Sequence, residues 1–139
     1  MDLITIIKEH EGLYLYAYPD SLGFITIGYG KCIDKRKGDG ISQQEAQYLL
    51  ENDLANSRMQ LAHFEWFNKL DTVRQDVLVE LCFNIGLGGV LEFKHMLNCI
   101  EQKDYKAAAA DMLYSLWARQ VGSNRSQNMA HRLASGSYE

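Results

Sequence analysis

The stretch EGLYLYAYPDSLGFITIGYG, residues 11–30, constrains the fold of this chain more than any other. It ends a short helix, sends out a strand, and brings a second strand back through a tight turn. Leu3, Ile4, Ile6 and Ile7 make one helical face behind Asp2, a natural N-cap, and Gly12 supplies a left-handed stop. Glu11 thus falls on the last turn of a helix over residues 3–11. Tyr14, Tyr16 and Tyr18 alternate with Leu15 and Ala17 as in a strand, and Pro19-Asp20-Ser21 with Gly23 reads as a turn. Phe24 to Ile27 is aromatic and β-branched, the composition of a second strand. Gly28 and Gly30 bracket Tyr29 where the backbone can approach a neighbour closely. An acid at a helix end, an acid in a turn and the hydroxyl of Thr26 on a strand are therefore carried by three adjoining local structures.

Cleavage of a glycosidic bond needs this kind of set. One protonated carboxyl gives its proton to the leaving oxygen, while an ionised carboxylate activates water or stabilises positive charge. The partial negative charge of a helix C-terminus disfavours an ionised Glu11, and a turn aspartate near solvent stays ionised. On spacing alone the plainer reading stays open, since acids at helix ends and turns are common on protein surfaces.

The residues themselves go further. The order E-G, eight residues ending in D, five residues, then T-I-G-x-G resembles the catalytic segment of the T-even phage lysozymes, glycoside hydrolase family 24, and the likeness extends more weakly over nearly the whole chain. It implies an α+β, mainly α, lysozyme-like fold in one domain over residues 1–139. A small β-containing lobe of about residues 13–55 would join a helical lobe, about residues 1–12 and 56–139, through a long helix. It implies Glu11, Asp20 and Thr26 as the catalytic residues and an inverting muramidase that cuts the β-1,4 bond between N-acetylmuramic acid and N-acetylglucosamine. Gly30, Lys31, Cys32, Phe83, Asn84 and Arg125 fall at substrate-binding positions. Asn84 stands where the family has Gln, keeping the amide with a shorter reach, and Arg125 aligns with the arginine that pairs with the catalytic glutamate. Leu116 replaces the arginine usual before the helical-lobe tryptophan, here Trp117. No cofactor is implied. The expected partner is bacterial peptidoglycan, met by a monomer that depends on a holin for export. Other readings are a peptidoglycan-binding module that no longer cuts and a tail-associated lysozyme that opens the wall at infection.

The rest of the chain reads as follows. Residues 31–41, charged and glycine-bearing, suggest a solvated β-hairpin arm. Ser42-Gln43-Gln44-Glu45 is a capping box opening a helix to about Ala62. Asp71 caps a helix whose stripe of Val73, Val77, Leu78, Leu81 and Cys82 stops at Gly86, before a flexible Leu87-Gly88-Gly89. Further helices are expected over about 92–101, from Asp104 through Ala107–Ala110 and Leu113 to Trp117, and over about 124–134. Trp66 and Trp117 read as core anchors.

Composition removes several alternatives. No run of about 18 apolar residues could span a membrane, and the N-terminus lacks a basic-then-apolar signal, so synthesis in the cytoplasm and later release to the cell wall are expected. Cys32, Cys82 and Cys99 are odd in number and widely spaced, which favours reduced structural thiols. His10, His63, His95 and His131 show no metal-ligand spacing, so no metal site is expected. The formal net charge of −4 and the lack of a basic stripe argue against a nucleic-acid partner. Long-range attraction to an anionic wall is weak at that charge, unless Lys31, Lys35, Arg36 and Lys37 form a local basic patch.

Overall fold

The computed structural model describes residues 2–139, apart from the side chain of Lys37. Helix α1 (Leu3–Glu11) is followed by strands β1 (Tyr14–Pro19), β2 (Ile25–Gly28) and β3 (Lys31–Cys32), and then by a 3-10 turn at Lys35–Lys37. Seven helices complete the chain: α2 (Gln43–Leu61), α3 (Glu65–Asn68), α4 (Thr72–Leu91), α5 (Lys94–Glu101), α6 (Tyr105–Leu113), α7 (Leu116–Val121) and α8 (Ser123–Ser135). This is the mainly α, α+β lysozyme-like fold that the sequence implied. Two compact units divide within α2, between Leu49 and Leu50. Helix α1 belongs to the first unit, whereas residues 1–12 were expected with the helical lobe. Its C-terminal end is tied there: the Lys8 ammonium lies 5.2 Å from the Tyr29 ring centroid, and Glu11 abuts Gly30.

In the first unit the strands form an antiparallel sheet in the order β1-β2-β3. Tyr14 pairs with Gly28 and Tyr18 with Thr26, so a bulge in β1 interrupts the tyrosine alternation. Across the other edge of β2, Thr26 pairs with Cys32 and Ile27 with Lys31. Asp2 caps α1 by accepting from the Thr5 amide at 2.8 Å. Gly12 ends the helix with φ 72 and ψ 162, a positive φ but an extended ψ, so the stop is not the left-handed one expected. Of residues 31–41, Lys31–Cys32 form the returning strand of a hairpin with β2, and the arm ends there: Asp34 accepts from the Arg36 amide at 2.9 Å and winds the chain into the 3-10 turn. The capping box at Ser42 closes as read, with the Ser42 amide 2.8 Å from Glu45 Oε1 and the Glu45 amide 3.0 Å from Ser42 Oγ.

The second unit holds the apolar core. Leu61, Val77, Leu78, Leu81, Val90, Met96, Met112, Met129 and Leu133 are wholly buried, and Trp117 is nearly so, whereas Trp66 is only half-buried. Gly86, with φ 78 and ψ 165, breaks α4. Residues 87–91 then resume helix instead of forming the flexible segment expected, and glycine suits position 89 because a Cβ there would sit 2.8 Å from Ile85 Cγ1. The expected run from Asp104 to Trp117 is two helices. Ser115 ends α6 by donating to the Met112 carbonyl at 2.6 Å and opens α7 by accepting from the Ala118 amide at 3.2 Å. Among the described residues no helix is long and apolar enough to cross a membrane.

Candidate active site

Glu11, Asp20 and Thr26 all lie in the first unit. Helix α1 delivers Glu11 as its final residue, and the carboxyl lies against the bare backbone of Gly30. A Cβ at Gly30 would sit 2.5 Å from Glu11 Oε2 and 2.8 Å from Cδ, and its φ of +77 is itself unfavourable for other residues. The close approach anticipated at Gly28-Tyr29-Gly30 is thus a contact with the acid.

Asp20 is fixed by its own turn. Its Oδ1 accepts from the Leu22 and Phe24 amides, each at 2.9 Å, while its amide donates to the Phe24 carbonyl at 2.8 Å. Both side-chain bonds go to one oxygen, so Oδ2 carries neither. Thr26 is 4% exposed, and its hydroxyl donates to the Phe24 carbonyl at 3.1 Å. That proton is committed, and the lone pairs of Oγ1 remain to accept from a donor such as water.

The register places Tyr18, Thr26 and Cys32 side by side across the three strands, and directly opposed residues project from the same face. Tyr18 escaped the sequence reading as a site residue. Its ring centroid is 4.3 Å from that of Tyr14. Desolvation first, then the charges of Tyr14, Glu11 and Asp20, push its phenol above the usual tyrosine range, so it stays protonated among the acids. A tyrosine two residues before the turn aspartate was the available signal.

A further support was also missed. Asp34 is buried, and its Oδ2 accepts from the Ile25 amide at 3.0 Å and from Arg36 Nη2 at 2.6 Å. Arg36 Nη2 also donates to the Gly23 carbonyl at 2.6 Å. Hydrogen bonds from the Arg36 side chain, then from the Arg36 and Ile25 amides, hold the Asp34 carboxyl far below the usual carboxylate range. Arg36 is thereby committed inside the unit, which weakens its part in the expected basic patch; the Lys37 side chain lies outside the described residues. Lys31 is exposed and opens β3 beside half-buried Cys32. It adds a small pull to the Ser42 hydrogen bonds that hold Glu45 low.

Phe83, Asn84 and Arg125 belong to the second unit. Phe83 and Arg125 line a groove of about 640 Å³ with Leu50, Leu54, Glu80 and Arg132. Arg125 Nε pairs with Glu80 Oε2 at 3.2 Å, and buried Arg132 meets the other Glu80 oxygen at 2.6 Å. Asn84 Oδ1 accepts from the Trp117 indole at 2.7 Å, so this amide carbonyl is spent on holding α7 to α4. Among the described residues no group of three or more His, Cys, Asp or Glu side chains could hold a metal ion.

A helix-end glutamate against a glycine, a turn aspartate and a buried threonine thus lie in one unit of a mainly α, lysozyme-like fold. The family model for phage lysozyme matches residues 8–135, and the chain belongs to that family. It is 27% identical over 158 aligned positions to probable T4-type lysozyme 1 of Dictyostelium discoideum, covering 94% of this chain and 92% of that protein. It is 31% identical over 110 positions to an endolysin of Acyrthosiphon pisum secondary endosymbiont phage 1, covering 79% and 74%. The pre-baseplate central spike protein Gp5 of Enterobacteria phage T4 is 28% identical over 148 positions, 87% of this chain but 26% of Gp5. The protein is therefore a lysozyme-type glycoside hydrolase.

Proposed function

We propose that the protein is an endolysin-type muramidase that cuts the β-1,4 bond between N-acetylmuramic acid and N-acetylglucosamine in bacterial peptidoglycan, with inversion. The observation that carries this reading is the grouping of Glu11, Asp20 and Thr26 around Tyr18: the phenol feels both acids and faces Thr26 across the sheet. The Glu11 carboxyl gives its proton to the glycosidic oxygen as the bond to the anomeric carbon breaks and its electron pair leaves with that oxygen. Asp20 takes a proton from a water whose second hydrogen bonds to Thr26 Oγ1, and the water oxygen forms the new bond from the opposite face. Gly30, Lys31 and Cys32, with Phe83, Asn84 and Arg125 at the family's other substrate positions, are the proposed contacts to the sugar chain. The enzyme acts as a monomer, made in the cytoplasm and released to the wall through a holin.

The test compares wild type and Glu11→Gln for clearing of outer-membrane-permeabilised Gram-negative cells, at low and moderate salt. The substitution lowers the rate by about 10²–10⁴-fold, the span of general acid catalysis, and leaves the melting temperature unchanged or raised. Equal clearing by both proteins overturns the role of Glu11. No clearing by either, with binding to purified peptidoglycan intact, identifies a binding module. The likeness to Gp5 favours a second setting for the same chemistry, at the tail during infection. Detection of this chain in purified particles would establish it.

A further inference from the structure

We infer that Arg36, held by Asp34, is a positioning residue for Asp20, fixing the segment that joins the turn acid to Thr26. Three consecutive residues of that segment are engaged. The Gly23 carbonyl accepts from Arg36 Nη2 at 2.6 Å, the Phe24 ring lies 5.3 Å from the guanidinium carbon, and the Ile25 amide donates to Asp34 at 3.0 Å. Phe24 in turn donates its amide to Asp20 and accepts from both the Asp20 amide and the Thr26 hydroxyl. The Asp34–Arg36 pair thus grips the piece of backbone that sets the offset between the two groups around the water. This inference rests on the assignment of Asp20 as the base.

A planar, five-donor fork suits the task because it meets a carboxylate and a carbonyl at fixed angles, which an ammonium does not. Asp34 binds Arg36 through Nε as well as Nη2, at 3.0–3.1 Å and 2.6 Å, so the guanidinium plane cannot swing freely. The clamp also carries charge. Arg36 is raised above the usual arginine range mainly by its hydrogen bond to Asp34, with a smaller contribution from Asp20, whose charge it therefore feels. Tyr18 on β1 feels the charges of Asp20 and Glu11, and Cys32 on β3 acts on Arg36.

The test measures kcat and KM on solubilised peptidoglycan, with the Leu22 and Phe24 amide signals by ¹⁵N NMR, in wild type, Arg36→Gln and Arg36→Lys. Those two amides donate to Asp20, so their signals report how its turn is held. Arg36→Gln lowers kcat about tenfold, KM stays within about twofold, and both amide signals move. Arg36→Lys also lowers kcat, since charge survives and the fork does not. Unmoved Leu22 and Phe24 signals in folded Arg36→Gln overturn the inference. So does an Arg36→Lys variant with wild-type kcat, which would leave charge as the whole role. Loss of clearing in wild type is a failure of the muramidase reading, and the amide signals still decide the clamp.

Discussion

The two units of this protein are held together by different means. In the second, Leu61, Val77, Leu78, Met112 and Leu133 are wholly removed from water, and the helices that carry them assemble by burial of apolar surface. In the first, the buried residues among those described are Thr26 and Asp34, both polar, and directed hydrogen bonds fix the Asp20 turn, the 3-10 turn and the entry to α2. Apolar burial is strong and indifferent to direction; a hydrogen bond is weaker in net terms and fixes angles. The helical unit is built for stability, whereas the unit with the carboxylates is built for placement.

That contrast can be broken from either side. Leu78→Ala in the second unit should cost about 2–5 kcal/mol in chemical denaturation, the range for emptying a filled leucine site, while turnover per folded molecule is unchanged. Gly30→Ala inverts the pattern. A methyl group pressed against the Glu11 carboxyl displaces the acid and lowers turnover by about 10²-fold, the scale of an ångström's misplacement, for about 1–2 kcal/mol of left-handed strain in stability. Ser42→Ala is the smallest and sharpens the comparison. It removes one half of the capping box and should lower stability by about 1 kcal/mol without changing turnover, because the cap holds α2 and touches neither acid. A Ser42 variant with turnover reduced as far as the Gly30 variant would mean that the first unit has no separable parts.

Much of this architecture was legible from the chain, wherever a signal and its target lie within one turn of backbone. Asp2, Ser42 and Asp71 each cap the helix that the sequence assigned to them, and Asp71 accepts from the Arg74 amide at 3.2 Å. The placement of Glu11 at a helix end, Asp20 in a turn and Thr26 on a strand was legible for the same reason, since each is presented by its own local element. The bonds that could not be read span greater distances. Arg36 reaches back to Gly23, the Trp117 indole finds Asn84, and Arg125 and Arg132 share Glu80. Ser115 was passed over because Leu113 and Trp117 stand four apart and continue a helical stripe across it. Its hydroxyl stops one helix and starts the next, a competition that periodicity does not register.

The contact between Glu11 and Gly30 also has a genetic consequence. Every amino acid one base change away from a glycine codon carries a Cβ, so no single step at position 30 leaves the carboxyl where it lies. Neighbouring Tyr29 is exposed, and another aromatic ring there would keep its contact with Lys8. At Gly30 the chain has no small step to take: change there must arrive together with a rearranged helix end, or not at all.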